Sequence, residues 1–170
     1  MMKSKQNKIL ILLISFLILQ VANITLGQNL ISVSSTRLKS LNFIPSYRAG
    51  LSPNFLIDDT KWINYSVLVK QSDPTCSISV QIISGTIPDG VNIMVKAMPY
   101  VGSSRGKHGI SIGKIKLSHV PQVLIDNIGT CYTGIGTRVG HQLIYTVDIK
   151  EFEQLKSGTP AINLLYTISQ

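Results

Sequence analysis

The sharpest chemical signature in this chain is Gly109-Ile110-Ser111-Ile112-Gly113. A glycine two residues before and two after a serine is the pattern of a nucleophile elbow, a strained strand-to-helix turn that presents the hydroxyl to a carbonyl substrate. Asp126 and His141 follow in the chain order of an acid and a base that would complete a triad. An elbow needs a helix after its serine, whereas Lys114-Ile115-Lys116-Leu117 alternates like a strand. The expectation is a hairpin strand flanked by glycines and no catalytic residue, with a small serine hydrolase at Ser111 as the remote alternative.

The other candidate groups point to binding. His108, His119 and His141 lack ligand spacing and have no acidic cluster beside them, so they read as surface or loop residues, with no metal and no cofactor expected. Arg105, Lys107, Lys114 and Lys116, with His108 nearby, form a basic set in which Lys114 and Lys116 share one strand face. Such a stripe suits an anionic glycan or surface polymer, and equally suits edge-strand lysines that discourage aggregation. Tyr100 and Tyr132 stand beside two glycine-rich stretches, 102–109 and 129–140, where an aromatic platform would receive a sugar. Nucleic acid is not expected as a partner, since the aromatics are scattered through strands and the charge is modest. Asn64-Tyr65-Ser66 fits a glycosylation triplet but falls within a strand.

The elements that position these groups begin after an export signal. Lys3, Lys5 and Lys8 precede an apolar run from Ile9 to Leu19, and Thr25-Leu26-Gly27 supplies small residues ahead of Gln28, the anatomy of a signal peptide over 1–27. That run is shorter than the ~20 residues a membrane span needs. Losing 1–27 removes three of the positive charges behind the formal +8. Residues 28–170 then form one domain: an N-terminal strand and irregular extension over 28–60, and a core over 61–170. The two cysteines, Cys76 and Cys131, are expected to pair in an oxidising compartment, contributing on the order of 4 kcal/mol by closing a long loop.

Period-two alternation marks the core. Ile31 and Val33 give a first short strand, and 41–44 part of a second; 45–59, with Pro45, Gly50, Pro53 and Asp58-Asp59, reads as loop. Ile63, Tyr65 and Val67, then Cys76, Ile78, Val80 and Ile82, then Val91, Ile93, Val95 and Ala97, each alternate with wetter residues. Residues 120–125 read as a weaker strand, demoted to an edge by Pro121, and Cys131 as a loop or strand-end residue. Leu143, Tyr145, Val147 and Ile149 alternate again, as do Ile162, Leu164, Tyr166 and Ile168, with one helical turn between them over 151–156. Seven or eight such strands predict an all-β fold, an antiparallel immunoglobulin-like or pilin-like sandwich.

Trp62-Ile63-Asn64-Tyr65-Ser66, Ser84-Gly85-Thr86-Ile87-Pro88-Asp89-Gly90, Gly140-His141-Gln142-Leu143-Ile144-Tyr145 and Leu165-Tyr166-Thr167-Ile168-Ser169 resemble a group of uncharacterised secreted Bacteroidota proteins of this length. The exported sandwich with an alternating terminal strand more distantly resembles pilin subunits and spore-coat-U-like domains. Leu155-Lys156-Ser157-Gly158-Thr159 is similar to the corner before a late strand of immunoglobulin-like and fibronectin-like domains, with Pro160-Ala161 where those folds place a tyrosine. These resemblances imply the compartment and the sandwich and carry no catalytic residues.

The functional expectation is therefore a noncatalytic exported structural or adhesive protein, periplasmic, secreted or on the cell surface. Its partners would be other copies or surface-fibre subunits, met through edge strands at 28–38 or 164–169. The alternative is a carbohydrate-binding module using the two glycine-rich stretches.

Overall fold

Alternation of apolar and polar side chains puts one face of each strand in the core, and the chain folds accordingly as an all-β, antiparallel, sandwich-like protein. The computed structural model describes residues 29–33, 54–154 and 162–170. Their strands are β1 (Leu30–Val33), β2 (Asn54–Val67), β3 (Cys76–Ser84), β4 (Val91–Ala97), β5 (Gly106–Ser111), β6 (Lys114–Lys116), β7 (Gln122–Tyr132), β8 (His141–Ile149) and β9 (Asn163–Ser169). Phe152–Gln154 forms a 3-10 turn where a helical turn was expected. The expected signal peptide, the strand at 41–44, the loop at 45–53, the remainder of that turn at 155–156 and the corner at 155–161 lie outside the described residues. Among the described residues no helix is long and apolar enough to cross a membrane.

The strands with the cleanest alternation behave as expected. Cys76, Ile78, Val80 and Ile82 of β3, Val91, Ile93, Val95 and Ala97 of β4, Leu143, Tyr145 and Val147 of β8, and Leu164 and Tyr166 of β9 are all buried. Ile63, Tyr65 and Val67 of β2 and Leu124, Ile125 and Ile128 of β7 join them in a single core. Each large aliphatic or aromatic side chain so buried contributes about 1.5–3 kcal/mol.

The ladders connect two layers. One runs β6-β4-β8-β2 with β1 on the far edge of β2, and the other runs β5-β7-β3-β9. Their inner faces meet at the hydrogen bond between the Tyr145 and Tyr166 hydroxyls, on β8 and β9, which share no ladder. Burial pushes both phenols above their usual range. The layers are continuous because β2 changes partners along one edge. Ile63 pairs with His141 of β8, whereas Ser66 and Val67 pair with Tyr132 and Cys131 of β7. Throughout this change β1 keeps the opposite edge.

Strand pairing overturns several local expectations. Residues 54–59, read as loop, belong to β2, whose register against β8 shifts on both sides of Asp58. Asp58 is buried there because its carboxylate accepts Thr60 N at 2.8 Å and Thr60 Oγ1 at 2.6 Å, and faces Lys61 Nζ at 3.6 Å. β5 starts at Gly106, inside the stretch expected to be loop. Most consequential is β7, expected as a weak edge. It runs for 11 residues and is paired on both sides, by β5 and by β3. Pro121 precedes its first residue, so its missing N–H removes no ladder bond. A bulge at Asn127, with φ 62 and its N–H held by Asp126 Oδ1 at 2.7 Å, breaks the alternation that would have shown the strand.

The expected Cys76–Cys131 disulfide is likewise corrected: both thiols are buried and free. Register gives the reason. Cys76 lies opposite Ile128, and Cys131 lies opposite Val67 and Gly106. The cysteines are thus offset by three residues of strand, roughly 10 Å, where a bond needs Cα atoms within ~7 Å. Burial raises the Cys76 thiol, and burial with a smaller contribution from Cys76 raises Cys131 to about 11. Both thiols should therefore resist iodoacetamide at pH 8 in the folded protein and take up two alkyl groups on unfolding without reductant. An unfolded chain that takes up none would show that the bond exists.

Candidate functional site

The two glycine-rich stretches singled out in the sequence lie against each other beside the point where β2 changes partners. Val101 and Gly140 exchange two backbone hydrogen bonds of 2.8 Å, and Met98 N donates to Gln142 O at 2.8 Å. Gly140 has φ 92, and a Cβ there would stand 2.3 Å from Ile63 O, so this approach requires glycine. Asn64 is buried and clamps the same loop: its Nδ2 donates to Val139 O at 2.7 Å, and its Oδ1 accepts Gly136 N at 3.2 Å. The glycosylation triplet thus has no free amide.

Tyr65 sits in the gap between the β8 and β7 ladders. Thr133, wholly buried, supplies what those ladders do not: its Oγ1 accepts Tyr65 N at 2.8 Å, and its N–H donates to Tyr65 O at 2.9 Å. The same hydroxyl donates back to Tyr65 O at 3.1 Å. The Tyr65 side chain then reaches inward, its hydroxyl donating to His108 O and lying 2.8 Å from His141 Nε2.

A second knot lies just outward. The Tyr100 and His108 rings stack 3.7 Å apart at 7°. Ser104 Oγ lies 2.6 Å from Tyr100 OH and 3.1 Å from His108 Nε2, and donates to Tyr132 O. A serine hydroxyl has one proton and two acceptor sites. With the proton given to Tyr132 O, Tyr100 OH and His108 Nε2 must both donate to Ser104. A histidine that donates to a serine does not withdraw its proton, so this Ser–His contact fixes a loop and activates no nucleophile.

His141 is the buried titratable group of the cluster. Its Nδ1 lies 2.8 Å from Met98 O and so carries a proton, while Nε2 lies 3.1 Å from His108 O. A second proton on Nε2 would suit that carbonyl, and the two carbonyl bonds do pull the imidazole upward. Burial outweighs them and, with the nearby His108 ring adding in the same direction, holds His141 below its ordinary value of 6.5. The neutral imidazole takes its place between Tyr65 and Met98.

Of the residues expected to bind a ligand, Tyr100, His108 and Tyr132 come together through Ser104. Arg105 is exposed in that loop, and Lys107 Nζ donates to Asn127 Oδ1. Lys114 and Lys116 lie apart, on β6 at the edge of the other layer. His119 is an exposed residue whose Nδ1 donates to Ile82 O at 3.1 Å. His141 is not the surface residue expected but 1% exposed. The Ser111, Asp126 and His141 triad does not assemble: Ser111 Oγ accepts Gly113 N at 3.3 Å, and Asp126 holds Asn127 N. Ser111 ends strand β5 with a strand following, not a helix. Among the described residues no three His, Cys, Asp or Glu side chains are grouped to hold a metal ion.

The roles of Ser104, Thr133 and Asn64 and the hydrogen bonds of Tyr65 were not legible in the sequence. Their partners stand as far as 76 residues away along the chain, and no spacing announces them. No protein-family model, curated protein or solved structure matches the chain.

The state of His141 makes stability depend on pH. Its folded pKa lies below the unfolded 6.5, so the unfolded chain binds the proton more tightly. Stability is complete above about pH 6.5 and declines as pH falls below it, by up to ~1.4 kcal/mol per unit until the folded imidazole itself titrates. The groups facing the ring are Tyr65 from β2 and Tyr100 and His108 from the adjoining loop and β5. His141→Gln should flatten this acid limb in urea unfolding between pH 4.5 and 7. An unchanged slope in the variant would show that His141 does not titrate on unfolding.

Proposed function

We propose that this chain is a noncatalytic, exported structural or adhesive protein that joins neighbouring copies or subunits by strand addition at β9. The observation that carries the reading is the edge of β9 that no strand among the described residues pairs. This seven-residue strand ends its layer and pairs only with β3 among the described residues. Such an edge offers unpaired N–H and C=O groups to another strand. Its outward face includes Leu165, 42% exposed and opposite Gln81 of β3, and the exposed Ile83 lies in the same layer. Apolar side chains there favour contact with a partner over solvent. The other expected donor segment, 28–38, is used differently: its residues 30–33 already pair with β2. The noncatalytic half is supported by Ser104 Oγ, His108 Nε2 and His141 Nδ1, each of which is engaged in holding a loop.

Carbohydrate binding is the second reading, favoured by Tyr132. Its ring is 50% exposed at the end of β7, with Leu30 and Tyr132 both opposite Ser66, so the three residues share one face. Tyr100 does not serve as a platform, since His108 covers one side of its ring.

Sedimentation velocity of the purified protein over a wide concentration range tests the leading reading. The average mass should rise with concentration, and Leu165→Lys with Thr167→Lys should return it to that of a monomer by placing charge on the edge. A protein that stays monomeric at every concentration would refute assembly through β9.

A further inference from the structure

The outer face of β4 and β6 carries a group of lysines that the fold does not account for. Lys96 lies directly opposite Lys114 in the ladder, and Lys116 lies opposite Met94. All three lysines are exposed. Opposite residues place their Cβ atoms ~5 Å apart, so two ammonium groups share one site. Lys116 stands about 7 Å farther along the same face.

Edge protection explains lysines on β6, which pairs only with β4 among the described residues, but not Lys96. β4 is covered on both sides, by β6 and by β8, so it has no edge to protect. Directly opposed like charges destabilise a sheet. Nor are they neutralised nearby: Asp148 pairs with Lys150 at 2.9 Å, Asp58 faces Lys61, and Asp59 is on β2, two strands away. A lysine kept where it opposes folding implies a partner that supplies the missing negative charge.

We propose that Lys96, Lys114 and Lys116 form a binding surface for a linear acidic polysaccharide. The repeated anionic groups of such a chain match a row of cations spaced by the pleat. A single-stranded nucleic acid would need rings on which successive bases stack. The residues beside the lysines on this face are Met94 and Ile144, and its one aromatic among the described residues, Trp62, is half-buried two strands away. The surface deepens the adhesive half of the proposed function and rests on the chain being exported. β9 plays no part in it, so a monomeric protein that binds the polysaccharide would refute assembly alone.

The test is titration of the full protein with heparin and with oligogalacturonate, alongside single-stranded DNA and vesicles of an anionic phospholipid. Lys96→Gln/Lys114→Gln is compared with Lys70→Gln/Arg138→Gln, which removes the same charge from exposed positions elsewhere. Binding to at least one polysaccharide should weaken about tenfold in the first variant, as expected for losing two partly screened contacts. It should be unchanged in the second and be lost near 0.5 M salt. Lys96→Gln should also raise the thermal midpoint of the free protein. Equal weakening in both variants, no polysaccharide binding, tighter binding to DNA or vesicles, or a lowered midpoint would each overturn the proposal.

Discussion

The peptide groups of Tyr65 must be satisfied on the side away from β1, in the gap between the β8 and β7 ladders. β2 has left β8 by Ile63 and has not met β7 until Ser66. A buried N–H or C=O without a partner costs about 1–3 kcal/mol, and here both would be orphaned. Thr133 closes the gap with one hydroxyl and one N–H. It can do so only if the chain leaving β7 runs on along β2, and much of the local structure holds it there. Asn64 grips it through Val139 and Gly136, and Gly140 passes closer to Ile63 than any side chain allows.

The same demand accounts for the polar groups that first look catalytic. Tyr65, His108 and His141 meet because the Tyr65 hydroxyl serves the His108 carbonyl and His141 Nδ1 serves the Met98 carbonyl. Ser104 and Tyr100 then fasten the outer loop over them. Each proton in the outer knot is committed to a defined acceptor, which makes the cluster a rigid frame. The proposed functions accordingly rest on what the frame leaves exposed: the side of β9 unpaired among the described residues, the ring of Tyr132, and the lysine row on β4 and β6.

The fold was legible where one rule governed a strand. β3, β4, β8 and β9 each keep one face wet and one dry, and their period of two survives in the sequence. β7 hides from the alternation rule because the bulge at Asn127 shifts which residues point inward, turning a central strand into an irregular string. The start of β2 is hidden because Asp58 and Asp59 look like a turn in the sequence, whereas Thr60 and Lys61 partner Asp58 within the strand. The cysteine pairing failed on register, a property of two strands together. Of the residues read as ligand-binding, Tyr100 and His108 stack and Ser104 ties them to the Tyr132 carbonyl, but Thr133 and Ser104 carry no mark in a one-dimensional pattern. Lys96 shows the same limit, because nothing in its own strand reveals that Lys114 lies opposite.

Equilibrium urea unfolding of Thr133→Val tests the central claim most directly. Valine keeps the shape and the branched Cβ of threonine and removes only the hydroxyl that serves Tyr65. The account predicts a loss of about 1–3 kcal/mol with an unchanged denaturant slope. A variant as stable as the parent, or more stable, would contradict it.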